Sequence, residues 1–179
     1  MSVSECSDAL AAAVARLDPV LQPLGFRFVA DANGEAHMAF ASGFFVGSAV
    51  KIGLIFRKRG TFGCVIYENE NSNMSHSDLM QYLGAQDRQR LLYSDSIMTS
   101  VARGGGDPID ALISDLGEVV GDRLNDRDLM DRLIARSLNE RFPGLMGNHD
   151  SVESTGRQAG HARGLIRRML DALKHWRSK

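Results

Sequence analysis

Cysteine is scarce in this chain, with Cys6 and Cys64 the only two. Neither sits in a CxxC context, so no disulfide framework or thiolate metal site is expected, and the default compartment is a reducing cytoplasm. Long hydrophobic runs are lacking too. None approaches the ~20 apolar residues of a membrane span. The short run Ala9 to Ala15 follows Glu5 and Asp8, where a secretory signal carries positive charge. Histidine is sparse: of His37, His76, His149, His161 and His175, no two stand at the i, i+4 spacing of a helical zinc site. These deficits imply no metal and no cofactor. With 44% apolar and 24% charged residues, the chain reads as an ordinary globular protein able to bury a core.

What is present is a split in charge. From Thr155 to Lys179 stand seven cations and the single anion Asp171, a net of +6, which leaves −7 for residues 1–154 of a chain totalling −1. Such asymmetry marks either a docking tail for an anionic partner or a helix that closes on its own acidic domain. Leu165, Ile166, Met169, Leu170, Leu173 and Trp176 share one side of this stretch, and its cations cover the rest.

Periodicity divides the chain. Leu10, Ala13, Val14 and Leu17 predict a first helix capped by Ser4 or Ser7, interrupted at Asp18-Pro19 and resumed as a short piece ending at Gly25. From Phe26 to Glu68 the period falls to two. Asn33-Gly34 predicts a tight hairpin between Phe26–Ala32 and Ala36–Ala41, and Phe44-Phe45-Val46 is a short strand or bulged crossing between Gly43 and Gly47. Val50, Ile52, Leu54 and Phe56 alternate in the clearest strand. A three-residue loop Arg59-Gly60-Thr61 would set Phe62, Cys64 and Ile66 on the same face. The expectation is an antiparallel meander of roughly four strands with one wet face.

Beyond it, Ser75-His76-Ser77-Asp78 has capping-box spacing before a helix running to Gly84. Leu91-Leu92-Tyr93 reads as a short helix and Ile97-Met98 as a strand. After the joint Gly104-Gly105-Gly106, Asp107-Pro108 opens a helix with the stripe Ile109, Leu112, Ile113, Leu116, Val119, Val120 and Leu124. A second helix capped by Asn125 or Asp126 carries Leu129, Met130, Leu133, Ile134 and Leu138, making a helical hairpin over 107–142. The domain plan is an α+β body over 1–144, a linker over 145–161 and a basic amphipathic helix over 162–179.

Motifs for chemistry are few. The glycine triplet lacks the lysine and hydroxyl of a phosphate loop, and Asp107 occupies the position an anion would take. Ser48-Ala49-Val50-Lys51 matches the Ser-x-x-Lys string of acyl-serine enzymes, but at a strand start and without companion motifs. The acids from Asp107 to Asp131, Asp115 among them, read as solvated helix faces. His76 follows an acidic loop, so His76 with Glu68 or Glu70 is the candidate acid–base group. A solvated helix-start histidine is the plainer reading.

Leu17-Asp18-Pro19-Val20-Leu21-Gln22-Pro23-Leu24-Gly25-Phe26 is a helix ending in Leu-Gly-Phe that runs into a meander. With Ser42-Gly43, Phe56-Arg57, Gly63, Tyr67, and Ser75-His76 through Leu83-Gly84, it resembles bacterial α+β domains of the immunity-protein type, over residues 8–84. That resemblance implies a protein that neutralises a toxin by binding it. The functional expectation is thus a nonenzymatic binding or regulatory protein with a protein partner, dimerising through the Gly117/Gly121 helix. The alternatives are nucleic-acid binding through Arg163, Arg167, Arg168, Lys174 and Arg177, or a small enzyme or ligand-binding protein with a pocket near His76.

Overall fold

The computed structural model describes residues 4–31 and 40–143. They form a mixed α+β structure: an N-terminal helix, a five-stranded antiparallel sheet, a two-stranded ribbon and further helices. The chain divides after Leu138, and Asn139–Pro143 is the described part of the second unit. The predicted linker (145–161) and basic helix (162–179) lie outside the described residues, as does Asn33-Gly34.

Helix α1 spans Ser4–Leu21 and runs through Pro19 without interruption, contrary to the expected break at Asp18-Pro19. Pro19 stands in the last turn, where its missing N–H removes only one intrahelical bond. Leu10, Ala13, Leu17 and Leu21 are buried. A 3₁₀ turn over Gln22–Leu24 follows, and Gly25 in the left-handed region returns its N–H to the Gln22 carbonyl at 2.9 Å.

The sheet runs β1 (Arg27–Ala30), β2 (Phe40–Val46), β3 (Lys51–Arg57), β4 (Thr61–Glu68) and β5 (Asn73–Ser75), each antiparallel to the next. It has one strand more than expected, because Asn69 Oδ1 accepts the Asn71 and Ser72 amides and folds the polar loop into a turn. Ala30 pairs with Gly43, whereas a two-residue loop at Asn33-Gly34 would pair it with His37. Ser42-Gly43 and Phe44-Phe45-Val46 therefore belong to one strand, β2.

The predicted register of β3 on β4 also fails. Pairing shifts between Ile55 and Phe56, where a β-bulge at Gly63 changes the alternation. Phe62, Val65 and Tyr67 face the core with Ile52, Leu54 and Phe56, while Cys64 and Ile66 turn to the other face. A Cβ at Gly63 would lie 2.9 Å from the Ile55 carbonyl oxygen, so this bulge demands glycine.

On the core face, Phe45, Ile52, Tyr67 and Met74 stand side by side across four strands, all fully buried. Helix α1 packs over β2 and β3. The opposite face, expected wet, carries the cross-strand row Val29, Phe44, Gly53 and Ile66. A Cβ at Gly53 would come within 2.7 Å of Ile66 and 3.0 Å of Phe44, so those two side chains close over it.

Helix α2 spans His76–Tyr82 behind the expected capping box: Ser75 Oγ accepts the Asp78 amide at 3.1 Å and Asp78 Oδ2 accepts the Ser75 amide at 3.2 Å. Leu91-Leu92-Tyr93 is not helical but lies in β6 (Leu91–Ser94), paired with β7 (Thr99–Ala102). Ile97 and Met98, expected in a strand, form the turn between them, with Met98 at φ +52°. Two apolar residues at a turn mimic a strand when only hydropathy is read.

Three positive-φ glycines, 104 to 106, lead to α3 (Pro108–Asp115), capped by Asp107, whose Oδ1 accepts the Ile109 amide at 2.7 Å. The apolar stripe continues, but the helix loosens into a π turn over Leu116–Val120 and a 3₁₀ turn over Gly121–Asn125. Asp126 Oδ1 accepts the Leu129 amide and caps α4 (Arg127–Arg141). Helix α4 is tied to α2 and the β4–β5 turn. Ser137 donates to Asp78, Asn69 donates to Asp131, and the Arg136 guanidinium sits 4.4 Å over the Tyr82 ring.

Candidate functional site

The capping box that starts α2 points His76 inward, and Tyr67, nine residues earlier on β4, meets it from the core face of the sheet. Tyr67 Oη lies 2.8 Å from His76 Nδ1, and His76 Nε2 lies 3.0 Å from Asp115 Oδ2 at the end of α3. Asp115 accepts the Arg90 amide at 2.8 Å and the Leu91 amide at 2.8 Å. All three side chains are buried. If the Tyr67 hydroxyl donates to Nδ1 and Nε2–H donates to Asp115, every polar hydrogen in the chain has an acceptor. Burial, with the nearby Asp115 carboxylate second, pushes the Tyr67 phenol far above its ordinary range.

This corrects the reading of His76. It is 4% exposed rather than solvated, and its partners are Tyr67 and Asp115 rather than Glu68 or Glu70. Glu68 instead lies 3.8 Å from Lys51 on the paired strand, and Glu70 is exposed at the β4–β5 turn. Asp115 is likewise no solvated helix-face acid. The signal for it was legible: Asp115 falls on the apolar stripe between Leu112 and Val119, where a lone acid needs a partner. Gln89, also buried, had no such signal. Its Nε2 donates to the Leu91 carbonyl at 2.6 Å and to Ser77 Oγ at 3.2 Å, tying the start of β6 to α2.

Beside this network lies a groove of about 400 Å³, lined by Cys64 and Ile66 of β4, His76 and Ser77 of α2, and Leu92 and Tyr93 of β6. Its rim continues onto the β6–β7 ribbon, where Tyr93, Ile97 and Met98 are 41%, 60% and 47% exposed. The Arg57 guanidinium approaches Met98 Sδ at 4.0 Å, and Ser100 Oγ donates to the Gly63 carbonyl at 3.1 Å, fastening β7 to the bulge. The result is an apolar surface held on a fixed polar frame.

The other sequence candidates do not meet here. A Cβ at Gly117 would have nothing within 4 Å, so no close packing is seen over that glycine among the described residues. Arg163, Arg167, Arg168, Lys174 and Arg177 lie outside the described residues. Among the described residues no group of three or more His, Cys, Asp or Glu is placed to hold a metal ion, and no helix is long and apolar enough to cross a membrane. Compared with protein-family models, curated proteins and solved structures, the chain matches none.

Proposed function

We infer that this chain is a binding protein that engages a protein partner through the β6–β7 ribbon and the groove beside it. The observation that supports the reading is the exposure of Tyr93, Ile97 and Met98 together on one short ribbon. Surface hydrophobics scattered singly need no explanation, but a contiguous group rimmed by polar residues is characteristic of an interaction surface. A toxin-neutralising role of the immunity type is one form of the same activity. His76 favours binding over acid–base chemistry, because both of its ring nitrogens are already engaged and neither is left for a substrate. In this reading the Tyr67–His76–Asp115 chain keeps the groove wall in shape.

The test is quantitative capture from the native cell by the full chain and by Ile97→Asp/Met98→Asp. Both positions are exposed, so the variant should fold with an unchanged thermal midpoint. A stoichiometric partner held by the wild type and lost by the variant is expected. Equal retention by both removes the ribbon from the interface.

A further inference from the structure

The outer strand of the large sheet carries a second, independent feature. Among the described residues β1 pairs only with β2. Asp31 N–H donates to the Ser42 carbonyl at 3.0 Å, one step beyond the Ala30–Gly43 pair. Antiparallel alternation then turns the main-chain groups of Arg27, Val29 and Asp31 toward β2, and those of Phe28 and Ala30 outward. Among the described residues nothing bonds these four outward groups. The strand is short and carries Arg27, two features that blunt an edge, but it has neither a proline nor a bulge.

We propose that a second copy of this chain pairs its β1 antiparallel to this β1, with the two-fold axis passing Val29, joining two five-stranded sheets into one. Three observations select this occupant and this register. Placing Phe28 opposite the partner's Ala30, in both directions, uses all four outward groups, whereas centring the axis on Phe28 sets Ala30 opposite Phe26, whose N–H is already given to the Leu21 carbonyl. The same register sets Arg27 opposite the partner's Asp31 twice, which is charge-complementary. Finally, a groove of about 370 Å³ lies between α1 and this edge, lined by the small Ala11, Ala15 and Ala30 with Leu10 and Val14. Phe28 faces the core side, stacked edge-on to Phe45 at 5.2 Å, so the partner's Phe28 reaches this groove. The contact is short, so the dimer is weak and concentration-dependent.

The test uses the full chain carrying Val29→Cys. Val29 is 54% exposed and pairs with itself at a non-hydrogen-bonded position, where Cα atoms stand about 4.5 Å apart, within disulfide reach. Mild oxidation should convert Val29→Cys into covalent dimer, while Ala30→Cys and the wild type, with only Cys6 and Cys64, should lag far behind. In sedimentation, Arg27→Asp should raise the dissociation constant of the wild-type dimer about tenfold or more, and Arg27→Asp/Asp31→Arg should restore it. The proposal is overturned if Val29→Cys crosslinks no faster than Ala30→Cys, if the wild type stays monomeric at every concentration, or if Arg27→Asp leaves its mass–concentration curve unchanged.

Discussion

Asp115 shows how one residue organises this molecule. A carboxylate at a helix C-terminus opposes the helix dipole, and here it is also buried, yet it collects the Arg90 and Leu91 amides and the His76 ring. Replacing it with alanine strands those donors, so Asp115→Ala should lose roughly 3–5 kcal/mol of stability in urea unfolding. Tyr67→Phe removes a single bond and should cost about 1–3 kcal/mol in the same measurement. Tyr67 also makes a pH prediction. Burial and the Asp115 charge raise its phenol above the unfolded value, so its contribution is intact below about pH 10 and declines as pH rises further, because only the unfolded state gives up the proton. Stability measured above that point should fall with pH in the wild type and less steeply in Tyr67→Phe.

At the scale of elements, the legible features were those governed by local chemistry. The capping box of α2, the Asp107-Pro108 start of α3 and the apolar spacing of α1 follow from neighbours in sequence. The β3–β4 register did not, because Phe62-Gly63-Cys64-Val65 alternates acceptably with or without a bulge and only the partner strand decides. Gly63→Ala should therefore cost about 1–3 kcal/mol, read by thermal unfolding, since the Ile55 carbonyl must move. The helix starts have their own signature. Partial burial works against the Asp107 carboxylate, but the Ile109 amide and the Arg16 guanidinium together outweigh it and hold its carboxyl below the usual range. Its stabilisation is present above the ordinary carboxyl value and is lost as pH falls below about 4. Asp107→Ala should lower stability by about 1 kcal/mol at neutral pH and flatten that acid limb.

For the whole molecule, the α+β class was readable from the change in hydrophobic period. The site was not, because Tyr67, His76, Gln89 and Asp115 come from four separate stretches and only packing unites them. Proximity in sequence pointed His76 toward Glu68 and Glu70, while tertiary distance chose Asp115. The basic stretch enters at this scale as a rival route to a partner. If Arg163, Arg167, Arg168, Lys174 and Arg177 bind nucleic acid, duplex affinity should fall steeply with salt and vanish on deleting residues 155–179. The most direct measurement is hydrogen–deuterium exchange on the full chain, alone and with its captured partner. New protection concentrated in Leu91–Ala102, with Cys64–Ile66 and the start of α2, is the expected result. Protection that falls elsewhere, leaving the β6–β7 ribbon unchanged, would contradict the account.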